Sequence, residues 1–288
     1  MSLPAAFETL GPLGEDAGKS GRLRLHLERR AGQTVVTDQY WTLPLQVMPP
    51  SYQDGDDEAY IYLLNPTGGI VQGDRLETEI VLGPGARGVA STPAATKVYR
   101  MDASYAAERS RYVLRGGAVL ECLPDQTIPF AGARFFRSTR ADLDPDSTLI
   151  LWDLLAAGRV ARGERFGFER LFVEVEVRVG GECRLLDRLE LAPADGPLDR
   201  LGLWDVYAYY GSLYAHSPRL DAGLAAALAE LLEGREGIWA GAGHSEPHLA
   251  VARILGHTAE DVQALLYDAW DLLRRPLLGK PAHRLRKF

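Results

Sequence analysis

The sequence predicts a mainly β protein: a large β-rich body, β-helix-like or an irregular multi-sheet arrangement, with two α-helices near the C-terminus. Three observations carry this. Apolar and polar residues alternate with a period of two from about residue 20 to about residue 193. Turn-forming Gly, Pro and Asp clusters punctuate the alternation at short intervals, and the helical period appears only afterwards.

In chain order, residues 1–20 carry Gly, Pro and charge without periodicity and read as a flexible lead-in. Arg22-Leu23-Arg24-Leu25-His26-Leu27-Glu28 alternates without a break. Val173, Val175, Val177 and Val179 share one face of a segment whose other face is charged, the pattern of a half-buried strand built from stiff β-branched side chains. Residues 76–82, 110–114, 118–123, 133–139, 148–155 and 184–191 read similarly, separated by turn signals such as Gly83-Pro84-Gly85, Gly116-Gly117 and Gly180-Gly181. No repeat of fixed length is visible, which gives a regular solenoid no support. Leu224, Leu228, Leu231 and Leu232 then mark a helix over about 221–233 that stops at Gly234. Residues 248–255 look like another strand. A second helix over about 258–275 starts at the N-cap Thr258, carries Glu260 and Asp261 in its first turn, and ends at Pro276. Residues 21–278 thus form one β-rich domain, followed by a basic, mobile tail at 279–288.

The composition excludes several functions. Of 288 residues 25% are charged, and the net charge of −7 argues against a general nucleic-acid binder. Two cysteines, Cys122 and Cys183, are too few for a disulfide framework and fit a reducing, cytoplasmic setting. No apolar run approaches the ~20 residues that span a bilayer.

Candidate chemistry starts at NPTGGIVQGDRL (65–76), where an apolar run ends in Pro66, Gly68, Gly69 and Gly73 and presents Asp74. A phosphate cradle needs amides converging on a helix, with a lysine and a hydroxyl behind; here a strand pattern follows, and G-x-x-x-x-G-K-[ST] occurs nowhere. His244 and His248 stand four apart, but Pro247 breaks the helix that two-histidine metal ligation would need. No nucleophile motif occurs. What remains is a set of acids in apolar surroundings: Asp74, Asp153, Glu164 and Asp187. Each must be paired, hydrogen-bonded or hydrated. Arg140, Arg159, Arg162 or Arg188 could neutralise them structurally. Alternatively several share a wet interior lined by oxygen atoms, suited to a loosely held divalent cation. Two of them, Asp153 and Glu164, could instead form the carboxylate pair of a β-class carbohydrate-active enzyme.

Four blocks in fixed order, NPTGGIVQGDRL (65–76), STPAATKVYR (91–100), LPDQTIPF (123–130) and GRVARGE (158–164), resemble the urease accessory protein UreD family, also called UreH. The resemblance runs from about residue 20 to about 275. Gln72, Gln126 and the C-terminal tail depart from the family pattern. The resemblance implies a β-rich, non-enzymatic scaffold that binds apo-urease and UreF, and through UreF the GTPase UreG, and that assists Ni(II) delivery to urease. It implies no tightly bound cofactor. It further implies an internal water-filled passage whose polar residues fall on Asp74, Thr96, Arg140, Asp153 and Asp187, with Ni(II) resting transiently at Asp74 and Asp153. Gly68, Gly69, Gly73, Lys97, Arg100, Arg162 and Glu164 belong to the same motifs as structural residues. On this reading the glycines let the chain turn so that Asp74 faces the passage. A pure assembly scaffold with no ion route is the competing expectation.

Overall fold

The computed structural model describes residues 3–8, 18–55 and 57–285. Two antiparallel strands open the body, β1 (Ser20–Arg30) and β2 (Gln33–Trp41), followed by the short β3 (Gln46–Val47). The chain then coils. β4 (Glu58–Leu64) leads to β5 (Arg75–Leu82), and β6 (Arg87–Ser91) leads through β7 (Thr96–Val98) to β8 (Ala106–Leu114). In the same way β9 (Val119–Cys122) leads through β10 (Thr127–Pro129) to β11 (Arg134–Leu143), and β12 (Thr148–Ala156) leads to β13 (Arg170–Val179). Each coil places one strand in each of two sheets. The first sheet has β13, β11, β8, β5 and β1 side by side in parallel; the second has β12, β9, β6 and β4 in parallel. β7 and β10 pair in parallel on a third, narrow side.

This is a β-solenoid, and its irregular pitch hides it in the sequence. Glu58 stacks on Arg87, Arg87 on Val119 and Val119 on Thr148, steps of 29, 32 and 29 residues. In the first sheet Arg75, Ala107, Phe136 and Phe172 stack at steps of 32, 29 and 36. The expected β-helix-like body is observed, without a repeat of fixed length: strand register is kept while the loops change length.

β14 (Glu182–Leu191) closes the first sheet antiparallel to β13. β15 (Tyr209–His216), β16 (Ile238–Glu246) and β17 (Leu249–Gly256) extend the second, each antiparallel to its neighbour, in the order β12, β15, β17, β16. His244 and His248 therefore flank a β16–β17 hairpin, and His248 Nδ1 lies 3.0 Å from the Leu220 carbonyl. The main core lies between the sheets, with Leu25, Ile80, Leu114, Phe135 and Leu149 all buried.

A second core forms where α2 (Ala222–Leu232) and α3 (Ala259–Leu278) cover the outer face of the second sheet and bury Trp152, Leu213, Leu228, Leu266 and Trp270. Asp221 and Thr258 cap the helices, accepting the Leu224 and Asp261 amides at 2.8 and 3.1 Å. Pro276 does not end α3. It sits in the last turn, and the helix stops after Leu278, where left-handed Gly279 donates to the Arg275 carbonyl.

Arg274, fully buried, fixes α3 to the solenoid. Its guanidinium meets Glu58 and Glu121 in the second sheet, Asp54, and the Pro281 carbonyl. One guanidinium serves two buried carboxylates, and burial pushes Glu121 up to about 8 against the pull of Arg274. The described tail is docked, contrary to the mobile segment expected. Lys280 binds Asp57 at 2.8 Å, the Ala282 amide donates to Asp271, and Leu285 is buried. The lead-in is also partly anchored. A short helix α1 (Ala5–Glu8) puts Phe7, fully buried, against Tyr105, Phe136 and Phe172 on the outer face of the first sheet, worth about 2–3 kcal/mol. Residues 9–17 of the lead-in and 286–288 of the tail lie outside the described residues.

Candidate functional site: a polar cavity inside the solenoid

The four sequence blocks stack along the narrow third side. Ile70 bridges to Val98, Thr96 pairs with Thr127, and Thr127 pairs with Leu155. The fourth block closes the stack, with Glu164 accepting the Ala131 amide at 2.9 Å and the Arg159 guanidinium 4.6 Å above the Phe130 ring. Segments up to ninety residues apart in sequence thus build one wall.

The glycines serve this wall. Gly69, at φ +154°, passes so close to the third side that a Cβ would sit 2.6 Å from the Tyr99 ring and 2.7 Å from the Lys97 carbonyl. Gly68 and Gly73 also have positive φ, but around Gly68 the space is open. Lys97 is exposed at the rim, Arg100 pairs with Asp102 at the surface, and Arg162 is exposed in the 3-10 turn Val160–Arg162.

Asp74 is buried, and its carboxylate is used locally. One oxygen accepts the Lys19 amide at 2.9 Å and the other the Val71 amide at 3.0 Å. It closes the 71–74 turn and stitches the chain entering β1 to the start of β5. The glycine turn therefore presents Asp74 to the main chain. Asp74 is not among the residues lining the cavity described next.

Behind the motif wall, between the sheets, lies a cavity of about 260 Å³, room for several waters. Thr96 lines it from β7, Glu108 from β8, Arg137 from β11, Asp153 from β12 and Tyr214 from β15. Parity explains the placement. Glu108 stacks on Leu76 and on Arg137, at inward positions of the first sheet. Asp153 lies on the inward face of β12 with Leu151 and Leu155, whereas Ile150, Trp152 and Leu154 face the helices.

Arg137 is the hub. Its guanidinium donates to Asp153 in a short ion pair and to Thr127 Oγ1 at 2.8 Å. Burial pushes the Glu108 carboxyl above its ordinary range, with Arg137 opposing and Asp153 adding to the shift. Burial likewise raises the Cys122 thiol to about 11, which leaves it protonated and unreactive.

Asp187 stands at a second space, a groove of about 870 Å³ between the edge strands β14 and β16. It accepts a hydrogen bond from Tyr214 at 2.7 Å and pairs with Arg253 at 2.6 Å. Tyr214 lines the first cavity, and its hydrogen bond to Asp187 links that wall to the groove. Thr96, Asp153 and Asp187 are thereby brought to one polar axis. Arg140 is not: it has the opposite parity to Arg137, lies on the outer face of the first sheet and pairs with Asp142 at 2.8 Å. Glu164 is held by Arg159, whose hydrogen bond lowers the acid's pKa, and does not line the cavity with Asp153. The two therefore do not flank one pocket as a hydrolytic pair would.

Of the acids weighed against Arg140, Arg159, Arg162 and Arg188, only Glu164 meets one of the four. Glu108, Arg137 and Tyr214 were not singled out from sequence. Among the described residues no cluster of three or more His, Cys, Asp or Glu side chains is arranged to hold a metal ion, and no helix is long and apolar enough to cross a membrane.

The sequence matches the UreD urease accessory protein family over residues 19–287. Similar curated proteins named urease accessory protein UreD come from Actinomyces naeslundii, 34% identical over 93% of this chain and 99% of that protein, and from Haloarcula marismortui, 36% identical over 94% and 91%. A third, from Cupriavidus metallidurans, is 35% identical over 92% of each. The family model matched over most of the chain, with relatives of 34–36% identity, shows that the chain belongs to the UreD urease accessory protein family.

Proposed function

We propose that this protein is a cytoplasmic urease maturation factor. It acts as a non-enzymatic scaffold that binds apo-urease and UreF, and through UreF the GTPase UreG, and it assists Ni(II) delivery to the urease active site through its internal polar cavity. Family membership supports the maturation role, and the lack of a nucleotide loop in the sequence fits hydrolysis by a partner.

The observation that carries the conduit is the axis from Thr96 and Asp153 through Tyr214 to Asp187. A dication moving along it would meet one carboxylate oxygen, hydroxyls and water at each step, weak oxygen ligands that let it go again. It would displace Arg137 from Asp153, a compensating charge movement already next to the site. No resident metal is required by this scheme; nickel is the cargo.

The test is reconstitution with apo-urease, UreF, UreG, GTP, bicarbonate and Ni(II). Asp153→Asn should assemble normally and activate urease more slowly. One observation favours the pure scaffold instead, the closed Arg137–Asp153 pair; on that reading Asp153→Asn activates urease at the wild-type rate.

A further inference from the structure

The outer face of the first sheet, opposite the cavity, carries two stacked rows of charge. Arg22, Glu77, Arg109 and Ser138 are in register in one row, and Arg24, Glu79, Arg111 and Arg140 in the next. Together they line a groove of about 610 Å³ that holds five guanidinium groups and two carboxylates, on a chain whose net charge is −7. Arg22 pairs with Glu77 at 3.2 Å, Arg111 with Glu79 and Asp142 at 3.3 and 3.1 Å, and Arg140 with Asp142. Arg24 and Arg109 have no carboxylate within ion-pair distance among the described residues; Arg109 lies 5.1 Å over the Phe136 ring. Ser138, 1% exposed, closes the floor of the groove. Tyr40 lies opposite Arg24 across the β1–β2 pair and is 49% exposed. Arginine beside an exposed tyrosine is the composition of interface anchors.

We propose that this face docks an acidic, extended segment of a protein partner, whose carboxylates pair with Arg24 and Arg109. Charge complementarity sets the sign of the partner, and the spacing sets its form. Arg24 and Arg109 are two strands and one two-residue step apart, about 12 Å, too far for one phosphate to bridge. Glu77 and Glu79 stand between them and repel a compact polyanion. An extended chain projects side chains to one side about every 7 Å and can set carboxylates over the arginines and neutral residues over the glutamates. The surface is distinct from the polar axis and holds whether or not that axis carries nickel.

The experiment is fluorescence anisotropy of a labelled Glu-Thr-Thr-Thr repeat peptide, about twelve residues long, titrated with the full-length protein. Saturable binding is expected, weakening about tenfold or more between about 50 and about 300 mM salt. Arg24→Ser/Arg109→Ser should lose about tenfold or more in affinity, with an unchanged circular dichroism spectrum and melting point, whereas Arg235→Ser, just after α2 on the outer side of the second sheet, should bind as the wild type. Equal binding by the double variant, or no binding by the wild type, overturns the proposal. So does preferential binding of polyphosphate or single-stranded RNA, which would assign the face to phosphate. A dimer in light scattering that dissolves in the double variant would assign it to a second copy of this chain and overturn the proposal too.

Discussion

Replacing Asp74 with alanine separates a structural carboxylate from a conducting one. Both oxygens of the buried Asp74 accept main-chain amides, from Lys19 and Val71. Hydrogen bonds to a charged acceptor are worth roughly 1.5–3 kcal/mol each, and water can partly replace the one at the half-open Lys19 end, so Asp74→Ala should cost about 2–4 kcal/mol. At about 2–4 °C per kcal/mol for a chain of this size, the melting temperature should fall by roughly 4–16 °C. Asp74→Asn keeps one acceptor oxygen and turns an NH2 toward the other amide, so it should recover little of the loss. The assay is urea and thermal unfolding of the purified protein, run beside urease activation at a temperature where every variant is folded. There the Asp74 variants should activate urease at nearly the wild-type rate. A variant that melts within about 1 °C of the wild type yet fails to activate urease would refute this reasoning and return Asp74 to the cation path.

Three further outcomes follow from the same structure. Arg274→Met leaves Glu58 and Glu121 buried without their shared cation and should cost about 3–5 kcal/mol in urea unfolding, with Arg274→Met/Glu121→Gln recovering part of it. The Glu121 carboxyl is raised from its ordinary 4.5 to about 8, among Glu58, Asp54, Arg274, Lys280, Tyr60 and His283. Above pH 4.5 the folded state therefore holds the proton more tightly than the unfolded chain does. Stability should fall as pH rises toward and through 8, a slope that Glu121→Gln removes in unfolding curves taken from about pH 6 to about pH 9. Gly69→Ala should destabilise by well over the ~1 kcal/mol expected for strain alone at Gly68→Ala, because only at Gly69 does the new methyl strike backbone and a ring; melting temperatures of the two variants decide it.

The strands whose faces differ most in polarity were legible in the sequence. β1 and β13 alternate cleanly, and the α2 and α3 stripes and caps lie within a few residues of their expected bounds. β7, β10 and β15 drew no expectation. The first two are three residues long, and β15 is buried on both faces, so its inward Tyr210, Ser212, Tyr214 and His216 break the usual apolar-in alternation. The β-helix-like body was legible, but not its coil boundaries, because the coil steps range from 29 to 36 residues.

At the site, Asp153 stood out because its sequence neighbours are apolar on both sides. Arg137 and Glu108 did not, since each lies in a strand rich in charge. Their signal is parity: Arg137 shares its phase with Phe135, Ala141 and Leu143, and Glu108 with Ala106, Tyr112 and Leu114, all buried. The same rule puts Arg140 outside. Asp74 was misjudged for a different reason, since burial was readable from its context but which donors would reach it depends on Lys19, fifty-five residues away. The tail lacks an apolar stripe of its own, and its docking rests on single contacts to Arg274, Asp271 and Asp57 and on the buried Leu285.

The cavity's part in nickel delivery is tested most directly by following radioactive nickel from loaded UreG to apo-urease through the assembled complex, with a membrane-sized chelator in the surrounding solution. Transfer through the wild-type protein should survive the chelator and slow about tenfold in Asp153→Asn at unchanged complex yield, a barrier increase of about 1.4 kcal/mol. Transfer that the chelator abolishes, or that runs equally fast with Asp153→Asn, would contradict an internal route and leave the protein as an assembly scaffold.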